Sequence, residues 1–180
     1  MTGQWLEIDG TRTWFDSGAV SLDFSHAVTS SADELAQWLG DRFERLGDDV
    51  TDRDLTDAGG LRGAIERLAR TRADGTQPQA DDIDTVNLFA ATPDIPPAIE
   101  GGHRQAGRSR VRTGQALSTI ARDAVHLLEN DAEHRIRECA ADDCHLVFYD
   151  ESRTNNRRWC SMQRCGNRAK VRAFRAKEKL

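Results

Sequence analysis

Apolar positions open the chain in short runs and then settle into steps of three and four. Trp5-Leu6-Glu7-Ile8, Trp14-Phe15 and Val20-Ser21-Leu22-Asp23-Phe24 are aromatic and aliphatic runs broken by Asp9-Gly10 and Ser17-Gly18, both turn signals. That pattern predicts a β-hairpin or small meander. Ser31-Ala32-Asp33-Glu34 has the spacing at which a serine caps a helix and the glutamate three residues on reaches back to the free amide. Leu35, Trp38, Leu39, Phe43 and Leu46 follow at helical intervals, so a helix over about 31–46 is expected.

A second helix should start near Thr51–Asp54, because Leu55, Ala58, Leu61, Ile65 and Leu68 recur at steps of three and four. Gly59-Gly60 in its middle, each about 1 kcal/mol less favourable than alanine there, predicts a kink, a break or a close backbone approach. Gly75 and Pro78 end it. A short third helix runs through Ile83, Val86 and Phe89, stopping before Thr92-Pro93. Residues 98–113, rich in glycine and arginine, read as a loop or irregular hairpin with no assignable partner. Leu117, Ile120, Ala121, Ala124, Val125 and Leu128 then mark one apolar stripe, a core helix over about 114–130.

At 180 residues there is room for one ordinary core and a small satellite module. No apolar run approaches the roughly 18 to 20 residues of a transmembrane helix, and MTGQWLEIDG lacks the regions of a signal peptide, so a cytoplasmic protein without membrane contact is expected. The net charge of -5 conceals a division. Residues 151–180 carry ten Lys/Arg against two Asp/Glu, leaving -13 on residues 1–150. An acidic body holds a basic tail.

All four cysteines lie in the last quarter, as Cys139-x4-Cys144, fifteen residues, then Cys160-x4-Cys165. Two close pairs separated by a hairpin-length loop are how four thiolates converge on one tetrahedral zinc. Replacement of a cysteine by His134 or His145, an iron–sulfur cluster and an oxidised pair are the weaker alternatives. Within the loop, His145–Tyr149 reads as a strand and Arg157–Cys160 as its antiparallel return. Ser161 can cap a helix running towards Lys179, with Cys165 in its early turns. Knuckle, hairpin and ligand-bearing helix make a treble-clef-like finger of about 45 residues, too small to fold on apolar burial alone, so one structural zinc per chain should supply most of its stability.

Phe148-Tyr149-Asp150-Glu151-Ser152-Arg153, Arg157-Arg158-Trp159-Cys160-Ser161-Met162 and Cys165-Gly166-Asn167-Arg168 resemble the CGNR zinc-finger family of bacterial proteins over about residues 137–175. The front of the chain resembles the ABATE domain that commonly precedes this finger and is regarded as a stress-induced transcription regulator. That likeness rests on Leu22-Asp23-Phe24, on Leu61-Arg62 and on the helical order, with His26 and Ala27 standing where the family pattern has Asn-Thr. The resemblance implies a DNA-binding regulator.

The tail supports that implication independently. Arg164, Arg168, Arg172 and Arg175 recur at steps of four, four and three, Lys170 lies among them, and Arg153, Arg157 and Arg158 precede them. One basic helical face could meet several phosphates, with affinity falling steeply in salt. The plainer reading is a solvated face, or one docked on the acidic body. Asn167 and Arg168 are also candidates for orienting the thiolates. Trp159 and Phe174 are expected in the finger's small core. His26, His103 and His126 show no nucleophile or carboxylate pattern, and four thiolates leave the metal closed, so catalysis is not expected. In the front half, Asp23, His26 and Arg62 are candidates for a small-molecule pocket between the end of the Leu22–His26 strand and the second helix.

The resulting expectation is an α+β protein: a mostly helical regulatory domain over 1–132 with a small hairpin, then a four-cysteine finger with a basic helix over 133–180. DNA is the expected partner, with a small-molecule effector and a homodimer as further expectations. A protein-interaction adaptor docking an acidic partner, and an RNA-binding protein, are the competing readings.

Overall fold

The computed structural model describes residues 2–8, 10–44, 46–47, 49–97, 99, 110–131 and 134–177. Most of the expected 98–113 loop, His103 within it, the 132/133 domain boundary and the end of the final helix lie outside the described residues.

β1 (Gln4–Ile8) and β2 (Thr11–Phe15) pair antiparallel around Gly10. Inward Leu6 and Phe15 are buried, while Trp5 and Trp14, directly opposite one another, face outward. The expected meander ends there, because Val20–Ser25 forms a helix, α1, and not a third strand. Ser21 to Ser25 are all buried, and a short segment covered on every side carries no periodicity that separates strand from helix. Asp23 fastens α1 to the hairpin. Its Oδ1 accepts from the Ser17 amide at 3.2 Å and hydroxyl at 2.7 Å, and its Oδ2 accepts from the Gly3 amide at 2.5 Å.

Ser31 caps α2 (Ala32–Gly40), its hydroxyl accepting from the Glu34 amide at 3.2 Å. The Glu34 carboxylate reaches back to the amide of Ser30, at 2.6 Å. The helix stops short of the expected residue 46. Gly40 is its last residue, and Arg42 beyond it turns back over the Trp38 ring, 3.7 Å from the centroid, and donates to the Gly3 carbonyl at 3.0 Å. α3 (Asp52–Asp74) is the spine of the molecule, started by a reciprocal Thr51/Asp54 capping box and ended by Gly75 at φ 68°. It runs without the break expected at Gly59-Gly60. A Cβ at either glycine would meet nothing within 4 Å, so neither marks a close approach, and burial of Ala58, Leu61, Ile65 and Leu68 on one face outweighs their poor propensity. α4 (Ala80–Ala90) and α5 (Thr113–Glu129) complete the helical layer, where Phe24, Leu35, Leu39, Leu61, Ile65, Leu117 and Ile120 form the main core.

β3 (Ile136–Glu138) and β4 (Val147–Tyr149) make a second antiparallel hairpin, so the strand expected at His145–Tyr149 exists but its partner precedes Cys139. The expected return over Arg157–Cys160 is not a strand. The buried carboxylate of Asp150 takes the Arg157 amide at 2.7 Å, and the Arg158 carbonyl accepts from the Ala140 amide at 2.8 Å, which draws this segment onto the cysteine turn. About half of the chain is helical, and with two small hairpins the fold is α+β. Among the described residues no helix is long and apolar enough to cross a membrane.

Candidate metal centre

The β3–β4 turn delivers the first two cysteines. Cys139 follows β3 and its amide donates to the Leu146 carbonyl at 2.9 Å, while Cys144 closes the tight turn by donating to the Ala141 carbonyl at 3.0 Å. Cys160 comes in from the Arg157–Trp159 segment, its amide donating to the Cys139 sulfur at 3.3 Å. The fourth cysteine depends on one irregular turn. Met162–Gly166 is a π-turn, with the Gly166 amide donating to the Ser161 carbonyl at 3.0 Å, and Cys165 sits inside it before α6 (Asn167–Lys177) begins. Ser161 precedes the turn but its side chain makes no cap, contrary to expectation.

All four thiols are buried and their sulfurs lie within 4.8 Å of one another, with Cys144–Cys160 at 3.6 Å and Cys160–Cys165 at 3.5 Å. Four sulfurs each about 2.3 Å from a central zinc would stand about 3.8 Å apart, so the cluster has the size of a tetrahedral zinc site. Its electrostatics also suit a cation. Hydrogen bonds from Cys144 and then Cys160 hold the Cys139 thiol down to about 3, whereas hydrogen bonding to Cys139 and Cys144, with burial behind it, pushes the Cys160 thiol up. Thiols this close cannot all ionise unless a metal takes their charge. Among the described residues the metal-ligand set is these four cysteines alone. His145 is exposed and 2.8 Å from Glu138, and His134 lies with the helical layer, lining a cavity between α3, α4 and α5.

Two arginines of the basic tail point at the sulfurs. Arg164 reaches Cys144 at 3.7 Å and Cys165 at 3.6 Å, and Arg168 reaches Cys165 at 3.3 Å. Hydrogen bonding to that sulfur raises the Arg168 pKa above the ordinary arginine value. Arg168 also forks onto Asp143 in the cysteine turn at 3.0 and 3.1 Å, and Arg172 shares the same carboxylate at 3.3 Å. Burial pushes the Asp143 carboxyl up, but the Arg168 and Arg172 guanidiniums outweigh it and hold it below the usual range. Asn167 makes a different contact, donating to the Gln163 carbonyl at 3.3 Å.

Of the remaining basic residues, Arg157 faces inward. It lies over the Phe148 ring at 4.2 Å and donates to the carbonyls of Cys160 at 2.6 Å and Asp16 at 3.1 Å, tying the finger to the first hairpin. Arg153, Arg158, Lys170, Arg172 and Arg175 are exposed. Trp159 packs against the cysteine cluster as expected. Phe174 does not: it is 64% exposed, because α6 projects from the finger and buries none of its residues.

The finger is not an isolated bead. Leu6 and Phe15 of the first hairpin share a buried cluster with the four cysteines and Phe148, and the sequence offered no sign of this. The His26 ring, half-buried, sits with Nε2 3.1 Å from the Val147 amide and 3.0 Å from its carbonyl. Arg62 donates to the Ala27 carbonyl at 2.8 Å and the Thr29 hydroxyl at 2.9 Å. Asp23, His26 and Arg62 are thus held by separate protein partners, and none lines the cavity between α3, α4 and α5.

Four buried thiols at tetrahedral spacing, carried by a turn, a hairpin and a helix start, define a structural zinc module beside a helical domain. Residues 135–178 match the family model described as "CGNR zinc finger". Residues 18–131 match the model described as "ABATE: Putative stress-induced transcription regulator", and the chain belongs to that family. The β1–β2 hairpin precedes both matched stretches. A search among curated proteins finds no match to the chain.

Proposed function

We propose that the chain is a bacterial, cytoplasmic transcription regulator that binds duplex DNA through α6, with the zinc centre holding the helix in position. The observation that carries this reading is α6 itself: eleven residues with no buried side chain, rich in Arg and Lys, anchored at one end to a metal site. A helix fixed at its base with none of its residues buried is suited to lie in a major groove, and its cations to release counterions from phosphates. The test is duplex binding by the zinc-loaded chain before and after metal extraction. Binding that disappears with the zinc supports the reading; binding indifferent to zinc counts against it.

Regulation by a small molecule has its own observation. A cavity of about 520 Å³ opens between α3, α4 and α5, lined by Leu68, Ile83, Val86, Val125 and Leu128, with Arg72 and His134 supplying polarity. An apolar ligand with one anionic or hydrogen-bonding group fits this lining. A ligand of that class that raises the melting temperature, and does so less in Val86→Trp, supports the assignment. A screen of such ligands that never moves the transition counts against it.

A further inference from the structure

α6 and the outer face of the first hairpin bound a groove of about 750 Å³. Arg168, Arg172 and Arg175 of α6 and Arg164 of the preceding π-turn stand on one wall, and Arg12, Trp5 and Trp14 on the hairpin wall. No carboxylate is among its described lining residues. The two indoles are 55% and 44% exposed although Leu6 and Phe15 already fill the hairpin's inner face. Their rings meet edge to face with centroids 5.5 Å apart, and the Arg12 guanidinium lies 5.0 Å above Trp5. Exposed, mutually packed tryptophans capped by a cation and facing four more arginines are poorly explained by folding alone.

We propose that one phosphodiester strand of duplex DNA runs through this groove, held between α6 and the β1–β2 hairpin. The inference rests on the DNA-binding reading above and extends it to a second element. A helix about 10–12 Å across fills a major groove about 12 Å wide and is flanked there by the two sugar–phosphate strands. The hairpin stands beside α6, so the strand on that side must pass between them. The chemistry of the walls suits it. Arg175 and Arg12, the latter opposite Glu7 in the hairpin register, line the groove, indole N–H groups donate to phosphate oxygens, and indole faces cover deoxyribose. A single strand with unpaired bases, which would stack on the indoles, is the competing occupant.

The experiment uses the full zinc-loaded chain and compares duplex and single-stranded oligonucleotides of one sequence across several salt concentrations. Arg12→Glu is the main variant, because the side chain is exposed and its one described contact is the Trp5 ring. Trp14→Ala is the second. Arg53→Glu, at an α3 side chain 91% exposed and outside the groove, controls for net charge. Arg12→Glu should weaken duplex binding about tenfold and reduce the salt slope by about 1, with Trp14→Ala also weaker and zinc content unchanged in all three. Arg12→Glu binding duplex as wild type does, or Arg53→Glu losing as much, overturns the inference and leaves the DNA-binding reading standing. A loss confined to the single strand overturns it in favour of base stacking. Wild type without duplex affinity overturns both.

Discussion

The Arg168 Nη2 stands 3.3 Å from the Cys165 sulfur and, together with Nη1, forks onto Asp143. The metal centre is therefore linked through one side chain to the acidic turn between Cys139 and Cys144, and the base of α6 is fixed by zinc, sulfur and carboxylate together. Removing that side chain should lower zinc affinity about tenfold, the range typical for groups that orient metal ligands. Chelator competition on Arg168→Ala measures it. Arg168→Lys keeps the charge but cannot fork, and should recover only part of the loss. Equal zinc affinity in all three proteins would remove Arg168 from the site.

Phe15 is 1% exposed and packs with the cysteines and Phe148. Phe15→Ala should destabilise the zinc-loaded protein by about 3–5 kcal/mol, since it opens a cavity against the metal site. Trp5→Ala, on the other face of the same hairpin, should change stability by about 0.5 kcal/mol or less. Urea unfolding of the two variants tests whether the hairpin belongs energetically to the finger.

Gly18 links the hairpin to α1 at φ 83°, and a Cβ there would come 2.9 Å from the Tyr149 carbonyl oxygen. Both the backbone conformation and the approach of another chain segment exclude a side chain. Gly18→Ala should lower stability by about 1–3 kcal/mol, read as a fall in melting temperature, whereas Gly59→Ala on the open face of α3 should leave it unchanged or raise it.

Burial lowers the His26 pKa below 6.5, against the Val147 backbone hydrogen bond, Glu66 and Cys144, which raise it, and alongside Arg70, which lowers it further. The neutral ring is the native form at neutral pH, its Nε2 facing the Val147 backbone. Above pH 6.5 neither folded nor unfolded chain protonates this group, so its stability is fully present. As pH falls below 6.5 the unfolded chain takes up the proton first, and stability drops by about 1.4 kcal/mol per pH unit until the folded pKa is reached. Denaturant midpoints of the zinc-saturated protein at pH 7.5 and 5.5 should differ more in wild type than in His26→Gln.

Much of this was legible in the sequence where one physical signal dominates. The cysteine spacing marked the metal centre, because four thiolates in two close pairs have few other uses, and the apolar recurrence after Thr51–Asp54 and the Gly75 stop bounded α3. The failures share a cause. Val20–Ser25 is buried all round and so has no period to read, and β4 pairs with a strand lying before Cys139 because tertiary hydrogen bonds from Asp150 claim the segment expected to return. Phe174 looked like core from its type alone, but core membership depends on whether a helix docks, and α6 does not. Asp143 was visible beside Cys144, and opposite charge on the tail was the signal that could have paired it with Arg168.

The most direct measurement of the central claim is the salt dependence of duplex-DNA binding by the zinc-loaded chain, followed by fluorescence anisotropy. A zinc-positioned basic helix predicts that the logarithm of affinity falls linearly with the logarithm of salt, with a slope of about -4 if four phosphates are neutralised, and that the same titration on metal-extracted protein is flat. Absence of duplex binding at low salt, or an affinity that neither salt nor zinc removal alters, would contradict it.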